Sequence, residues 1–267
     1  FNGIADKTTW AFTTKALPAT TSSVTVDDDG AADFRTVQGA INWVIKHCGT
    51  AGSDSACTGS SVAKTITIKN GTYDGELFIR NINNLTLTGE SRDGVLVRSV
   101  NSEQYNPGTG GSKASPTTTS LAVAGGNRPR LDGGRAVLLV EGADLLTLNQ
   151  FTLQNAHVKT SGYNNQAETI YYNSASLSGS RWMGTYMNFI STQDTIQTKG
   201  WMWIYKSLVA GDVDFIWGAV YGGLLEESEL RTVVDTTNPS SGGYITEART
   251  VKGFPGFVIL NSLLTRE

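Results

Sequence analysis

The chain has few of the residues from which most hydrolytic and metal-dependent sites are built. Its 267 residues include only two histidines, His47 and His157, and two cysteines, Cys48 and Cys57. There is no Gly-x-Ser-x-Gly segment, which disfavours a serine nucleophile on a strand-to-helix turn with a histidine base. The histidines and cysteines are also not spaced as zinc ligands are. The sequence therefore predicts a site that uses neither a metal ion nor a cofactor.

A large charge excess and a long apolar run are also missing. The formal net charge is −3 at pH 7, and the scattered Lys and Arg provide no continuous basic face, which disfavours a nucleic-acid partner. No apolar run reaches the length of about 18 residues that a transmembrane helix needs. The chain starts at Phe1 without an initiator Met or a signal peptide, as expected of a processed protein or of a piece of a longer one. For Cys48 and Cys57, a local disulfide and two free thiols both fit the spacing.

Proline is rare and glycine is common, with 6 against 30. Together with many Thr, Ser and Asn, this composition favours short strands joined by tight turns. After about residue 62 the chain becomes a series of short apolar segments separated by Gly, Asn, Asp and Ser. Five of them can be aligned, each ending in an apolar residue: LTLNQF at 146–151, GTYMNF at 184–189, WIYKSL at 203–208, LEESEL at 225–230 and VILNSL at 258–263.

The intervals between these final residues are 38, 19, 22 and 33. They fit coils of about 20 residues with insertions, stacked so that neighbouring coils share one core. The sequence therefore predicts an all-β fold, a right-handed parallel β-helix (solenoid) with a short N-terminal helix. Apolar residues with helical spacing predict that helix: Phe34, Val37, Ile41, Val44 and Ile45.

The chain also divides into segments by composition. Residues 1–17 resemble the closing strand of a bacterial immunoglobulin-like module, and a strand that caps the main domain is the alternative. Residues 18–23, PATTSS, are predicted to form a linker, and 24–267 to form the β-helix. Three aspartates at 27–29 lack the further ligands of an EF-hand and favour a turn. Residues 101–130 are predicted to leave the coils, either as a wall of a binding cleft or as a surface insertion.

Two aspartates follow equivalent apolar segments on successive coils. Neighbouring strands in such a stack lie about 4.8 Å apart, so Asp194 and Asp214 are expected to become neighbours. Like charges at this separation raise one pKa and leave the other group ionised, which allows one acid and one base or nucleophile. Gln193 and Gln166 are neutral donors beside them that can stabilise an oxyanion. A polar ladder that satisfies turn hydrogen bonds at a coil corner remains the alternative.

The segments around these aspartates resemble motifs of the pectin methylesterases. Residues 193–196, Gln-Asp-Thr-Ile, are similar to the family's Gln-Asp-Thr-Leu, and residues 211–218, Gly-Asp-Val-Asp-Phe-Ile-Trp-Gly, to its Gly-x-Val-Asp-Phe-Ile-Phe-Gly. Further matches lie at 33–41, 166–167, 244–249 and 256–261. The resemblance covers about residues 24–267 and is closest to the bacterial branch that includes lipoprotein pectinesterases.

The resemblance implies a carbohydrate esterase that hydrolyses the methyl esters of galacturonate in pectin to pectate and methanol. It implies a secreted or cell-envelope protein that acts as a monomer on homogalacturonan. Asp214 would be the nucleophile, and Asp194 the acid that protonates methanol and then activates water. Gln166 and Gln193 would hold the oxyanion.

The same resemblance implies a sugar-binding groove. Val213 and Trp217 match positions that line the family's groove, where an aromatic face can stack on a galacturonate ring. The family's Leu-Gly-Arg-Pro-Trp motif has no counterpart, since neither Arg249 nor Arg266 matches its Arg. This departure predicts a chain truncated after Glu267. A non-catalytic carbohydrate-binding β-helix, an esterase or thioesterase with another substrate, and a lyase or polygalacturonase remain alternatives.

Overall fold

Successive coils of the chain stack into a parallel β-helix. The structure is a computed structural model that describes residues 15–106, 121–123, 126–128, 134–240 and 242–267. Apart from one antiparallel pair, the described strands form three parallel sheets, and the chain visits these sheets in turn. Side chains alternate between the core and the outside, as in the buried and half-buried residues of Lys64–Ile68. The predicted fold class is confirmed.

The strands are numbered along the chain and grouped by sheet. The first sheet contains β1 (Ser23–Val26), β2 (Lys64–Ile68), β5 (Leu85–Gly89), β10 (Leu146–Asn149), β13 (Arg181–Thr185), β16 (Gly200–Tyr205), β19 (Val220–Glu226) and β22 (Gly256–Leu260). The second contains β3 (Gly71–Asp74), β6 (Val95–Ser99), β11 (Thr152–Asn155), β14 (Asn188–Ile190), β17 (Leu208–Gly211), β20 (Glu229–Thr232) and β23 (Leu263–Arg266). The third contains β4 (Leu77–Arg80), β9 (Leu138–Glu141), β12 (Ile170–Tyr172), β15 (Ile196–Thr198), β18 (Ile216–Gly218) and β21 (Thr246–Ala248).

A helix packs at one end of the coils. The helix α1 (Val37–Cys48) begins after Thr36, whose side chain accepts a hydrogen bond from the Gly39 amide at 3.2 Å. Its apolar face contacts β1, β2 and β4, which covers core side chains that would otherwise face water at the end of the stack. Cys48, its last residue, forms a disulfide with Cys57. Of the two alternatives for these cysteines, a disulfide or two free thiols, the structure has the disulfide.

The register of the first sheet gives the length of each coil. Aligned residues are 20 apart from β13 to β16 (Trp182 and Met202) and 21 apart from β16 to β19 (Met202 and Gly223). These values confirm the predicted coil of about 20 residues. The alignment of the apolar segments predicted from the sequence differs from this register by one or two residues. Phe189 pairs with Leu153 and Val209, and not with Phe151 and Leu208, the predicted ends of the neighbouring segments.

The predicted excursion and the N-terminal segments are only partly described. Between β5 and β10 the aligned residues Thr86 and Thr147 are 61 apart, which accommodates an insertion at 101–130. Within it, β7 (Leu121–Val123) and β8 (Gly126–Arg128) form an antiparallel pair, and most of its other residues lie outside the described ranges. The prediction for residues 1–17 also falls almost entirely outside them. The first strand begins at Ser23, the last residue of the linker predicted at 18–23, and the division into segments stays a prediction.

Left-handed residues recur at one corner of the described coils. From β10 onward, each turn from a first-sheet strand to a second-sheet strand contains one non-glycine residue with φ between 47° and 61°: Gln150, Tyr186, Lys206, Glu227 and Asn261. Such backbone conformations are uncommon outside glycine and are imposed by the surrounding structure. A second corner, between the second and third sheets, carries the candidate site.

Candidate functional site

Asp194 and Asp214 occupy equivalent corner positions on successive coils. Each lies two residues before a third-sheet strand, and the pairing of Ile196 with Ile216 aligns the two aspartates when it is extended back by two residues. The Asp194 amide donates to the Val213 carbonyl at 3.0 Å. Both aspartates are left-handed, with φ of 59° and 48°, a conformation that Asp tolerates better than most residues. The structure therefore brings together the two acids that the sequence predicted as a pair.

The residues around the aspartates hold the two coils in this register. The hydroxyl of Thr195, which follows Asp194, donates to the Ala210 carbonyl on the next coil at 2.7 Å. Phe215, which follows Asp214, is fully buried. A Cβ atom at Gly211 would lie only 2.3 Å from the Phe215 Cβ, so glycine is needed there for the aromatic ring to enter the core. The two sequence motifs thus interlock across neighbouring coils.

A third acid extends the row, and the sequence analysis missed it. Glu168 lies on the preceding coil beside Asp194 and Thr195, because the Ala167 amide donates to the Gln193 carbonyl at 3.2 Å and the Thr169 amide to the Thr195 carbonyl at 2.8 Å. Glu168 is fully buried, and its carboxylate accepts from Arg135 at 2.8 and 2.9 Å. Glu168 lies only two residues after Gln166, in a segment that the sequence had already indicated. No pattern in the sequence indicated Arg135.

Arg135 joins this row of acids to a fourth carboxylate. Its Nη2 lies 3.0 Å from Asp194 Oδ2, and its Nη1 donates to Glu103 Oε2 at 2.7 Å. Arg135 is only 8% exposed. A buried guanidinium needs such partners, because removing an ion from water costs several kcal/mol unless other charges and hydrogen bonds compensate it.

The two aspartates differ in burial and therefore in electrostatics. Asp194 is 6% exposed. Its pKa is raised to about 8, because burial and the charges of Glu168 and Asp214 outweigh the lowering by Arg135. Asp214 is half-buried. Burial and then Glu247 raise the pKa of Asp214, while Arg249 lowers it. The pair can thus hold a proton on Asp194 while Asp214 is ionised.

The two glutamines lie beside the acids on neighbouring coils. Gln193 is half-buried, and its side chain lowers the pKa of Asp194, which follows it in the chain. Gln166 is in step with Gln193, because the Ala167 amide donates to the Gln193 carbonyl at 3.2 Å just as the Asp194 amide donates to the Val213 carbonyl. The side-chain oxygen of Gln166 is buried and has no hydrogen-bond partner among the described residues. The NH2 group of the same amide is a donor that can serve a ligand.

Val213 directly precedes Asp214, and Trp217 follows it by three residues on β18. Val213 is half-buried and forms a bridge with Gln193. Trp217 is 7% exposed, and its ring lies under the guanidinium of Arg249 at 4.9 Å and within 6.0 Å of that of Arg135. A sugar ring can therefore stack on this indole only if Arg249 moves, and the role of Trp217 stays a prediction.

Two further features lie outside the acid row. Asp212 is buried and forms an ion pair with Lys159 at 2.6 Å, and Lys159 also contacts Asp235. Burial raises the pKa of Asp212 and Lys159 lowers it, so Asp212 belongs to a separate charge cluster.

An open apolar groove of about 410 Å³ on the first sheet, lined by Trp201 and Trp203 among others, contains neither aspartate of the pair.

Comparison with known proteins agrees with this arrangement at the level of the fold. No protein-family model matches the chain, and no curated protein matches it. Among solved structures, a pectin methylesterase in complex with a hexasaccharide is 25% identical with a TM-score of 0.68. The match covers 93% of this chain and 67% of the chain of that enzyme. The pectin methylesterase PemA of Erwinia chrysanthemi is 23% identical with a TM-score of 0.68, covering 94% and 67%.

A plant enzyme gives a similar result. Pectin methylesterase from carrot is 19% identical with a TM-score of 0.62, covering 95% of this chain and 66% of its own. The chain thus spans about two thirds of the length of each of these proteins. Over more than nine tenths of its own length, the chain is similar in fold to the pectin methylesterases of bacteria, fungi and plants.

Proposed function

We propose that the protein is an aspartyl esterase that hydrolyses the methyl esters of galacturonate in pectin. The observation that carries this proposal is the stacking of Asp194 and Asp214 at equivalent corner positions with unequal burial. Unequal burial gives two carboxyl groups different protonation states at one pH, which an acid and a nucleophile require. The similarity in fold to pectin methylesterases supports the choice of ester.

The first half of the reaction uses Asp214 as the nucleophile. Its carboxylate attacks the carbonyl carbon of the methyl ester, and the electron pair of the C=O bond moves to the oxygen. The side-chain amides of Gln166 and Gln193 donate to this oxyanion. When the intermediate collapses, the bond to the methoxy group breaks and Asp194 gives its proton to the departing methanol. The product is an anhydride between Asp214 and the galacturonate carboxyl.

The second half returns both acids to their starting states. Asp194, now ionised, takes a proton from a water molecule whose oxygen attacks the galacturonate carbonyl carbon of the anhydride. The bond to the Asp214 oxygen then breaks and leaves the Asp214 carboxylate, the protonated Asp194 and the free galacturonate acid. The pKa of Asp194, near 8, suits a group that must give and accept a proton near neutral pH.

The substrate groove would run across the outer face of the third sheet beside the two acids. Tyr171, Gln197, Trp217 and Glu247 align in one outward row along the sheet. We place Val213 and Trp217 at the ester-bearing sugar, with Arg249 as the mobile cover of the indole. Pectin carries free carboxylates as well as esters, and the guanidinium of Arg249 can pair with one of them as it leaves the ring.

The same proposal places the protein outside the cytoplasm. The Cys48–Cys57 disulfide is typical of an oxidising compartment, and pectin is an extracellular polymer. None of the described helices is long and apolar enough to cross a membrane. We therefore propose secretion or attachment to the cell envelope, with action as a monomer.

Methanol release from highly methylated pectin tests the proposed activity. We expect the chain to release methanol, Asp214→Asn to abolish release, and Asp194→Asn to reduce it by about 10²- to 10⁴-fold, since it removes the acid–base group. Asp74→Asn, at an exposed aspartate of β3, is the control and should keep its activity. No methanol from the unaltered chain, in an assay where a known pectin methylesterase is active, would refute the proposal.

The same samples separate the alternatives. Pectin binding without methanol release would indicate a non-catalytic carbohydrate-binding protein. A rise in reducing ends with falling viscosity would indicate chain cleavage by a lyase or polygalacturonase. Release of an alcohol or thiol from another ester, with none from pectin, would keep the two aspartates as the reacting groups and change the substrate.

A further inference from the structure

Arg135 is the one described cation that contacts the acid row directly, and the reaction outlined above does not use it. Arg135 precedes β9, 59 residues before Asp194 in the chain. Its Nε donates to both oxygens of Glu168, its Nη1 to Glu103, and its Nη2 lies 3.0 Å from Asp194 Oδ2. The planar guanidinium can make all of these contacts at once because its donors form a rigid fork.

The contacts to the two glutamates fix the guanidinium independently of Asp194. Glu168 is fully buried, and its side chain lies 2.8 Å from Arg135 Nη2. Glu103 holds the opposite side at 2.7 Å. A group fixed on several partners keeps its position when a further partner changes charge, which is the condition for preorganised electrostatic support. Arg135 can therefore stay in place while Asp194 loses and regains its proton.

We propose that Arg135 is a positioning residue for Asp194: anchored on Glu168 and Glu103, it orients the Asp194 carboxyl and stabilises its ionised form. The assignment rests on the proposed function for its role in a reaction. The contact and its electrostatic consequence are independent of the substrate. Without a fixed cation, an acid this deeply buried would keep its proton and could not act as a base in the second half-reaction.

The groups that act on Asp194 come from four coils. Glu168 lies on the preceding coil, Arg135 on the coil before that one, Asp214 on the following coil, and Gln193 on the coil of Asp194 itself. Burial, Glu168 and Asp214 raise the pKa of Asp194, while Arg135 and Gln193 lower it. Glu168 and Arg135 therefore act on Asp194 in opposite directions, and their removal should have opposite effects.

The test is a titration of Asp194 that needs no catalytic turnover. Protein labelled with ¹³C at the aspartate side-chain carboxyl carbon would be titrated by NMR, with Asp194→Asn to assign the signal. Arg135→Met alone leaves Glu168 buried without its partner, which can prevent folding. The informative variants are therefore Glu168→Gln and the double variant Arg135→Met/Glu168→Gln, which removes the pair together.

We expect Glu168→Gln to lower the pKa of Asp194, because it removes a negative neighbour. Adding Arg135→Met to that variant should raise the pKa again by about 1 to 3 units, the usual effect of losing an opposite charge at this distance. Arg135→Lys in the same background should recover part of the lowering, because lysine keeps the charge but not the fork. If Asp194 titrates at the same pH in Glu168→Gln and in the double variant, Arg135 does not support its ionised form and the proposal is overturned.

A matched pair elsewhere in the third sheet provides the control. Arg80 on β4 lies 3.0 Å from Glu141 on β9. Arg80→Met/Glu141→Gln deletes an Arg–Glu pair of the same kind, without touching the acid row, and should leave the titration of Asp194 unchanged. If it shifts that titration as far as the Arg135 variants do, a general loosening of the sheet explains the effect and the proposal fails.

Activity measured on the same variants separates this proposal from the proposed function. If the chain is an esterase, the alkaline limb of kcat/KM should move to lower pH in Glu168→Gln and back to higher pH in the double variant. NMR shifts without methanol release from any variant would refute the proposed function and retain Arg135 as the group that sets Asp194. A constant NMR titration in proteins that are active would refute the role of Arg135 and retain the esterase.

Discussion

Asp194→Asn should make the protein more stable at neutral pH. The pKa of Asp194 is raised from 3.8 to about 8, with burial as the first cause, whereas in the unfolded chain the group ionises near its ordinary value. Between these two pH values the native state binds a proton that the unfolded state releases, so the stability of the native protein falls as pH rises through this window. Each unit of difference corresponds to about 1.4 kcal/mol.

At pH 7 this shift corresponds to about 4 kcal/mol of stability that the unaltered chain lacks relative to a variant with no ionisable group at 194. The asparagine amide oxygen can still accept from Arg135, so the variant keeps that contact. We therefore expect Asp194→Asn to add a few kcal/mol to the free energy of unfolding at pH 7 and little at pH 4. The gain should stop growing above about pH 8, where both states of the unaltered chain are ionised.

Urea unfolding followed by tryptophan fluorescence at pH 4, 5, 6, 7, 8 and 9 would measure this difference. Asp74→Asn, in which the exchanged side chain is 70% exposed, is the matched control for a carboxylate-to-amide change. A constant difference between Asp194→Asn and the unaltered chain across this range would refute the reasoning, because it would mean that Asp194 titrates alike in the two states.

Two further predictions concern the disulfide and the charges around Asp214. The Cys48–Cys57 bond closes a loop with a sequence separation of 9, so replacing both cysteines by serine should lower the free energy of unfolding by about 2.5 kcal/mol; equal urea midpoints for the two proteins would contradict this. Arg249 lowers the pKa of Asp214 and Glu247 raises it, so Arg249→Gln should move the acidic limb of kcat/KM to higher pH and Glu247→Gln to lower pH. Shifts in the same direction would contradict this assignment.

The fold could be predicted because coil stacking leaves a repeated signal in the sequence. Leu148, Ile204 and Leu225 align in one row of the first sheet and are all fully buried, so an apolar residue recurs at the same place on these coils. The register could not be predicted to the residue. Gly184 occupies the same core row, and the ring of Phe189 lies where its side chain would be, so the apolar pattern shifts from one coil to the next.

The candidate site could be predicted only where its members lie on coils of regular length. Asp194 and Asp214 are 20 residues apart, about one coil, and both lie in recognisable motifs. Arg135 reaches the same site across a coil with inserted residues, so its distance in the sequence says nothing about its distance in space. The cover of Trp217 by Arg249 depends on the direction of two long side chains, which strand alternation alone does not determine.

Asp214 has a structural role that can be separated from its chemical one. Its φ of 48° is a conformation that costs about 1–2 kcal/mol for most residues, less for Asp and Asn, and nothing for Gly. Asp214→Asn should therefore remove the reactive carboxylate and retain the backbone turn. Asp214→Ala should remove both, and Asp214→Gly should be more stable than Asp214→Ala by about 1 kcal/mol.

The opposite order is expected at Asp74, which lies in the extended strand β3, because glycine weakens a strand and alanine does not require a strained backbone there. Urea unfolding of the Ala and Gly variants at both sites gives the comparison. If Ala is as stable as Gly at 214, the left-handed corner is not under strain. The two aspartates would then be held in register by the interlocking of Thr195, Gly211 and Phe215 alone, and not by the corner residues themselves.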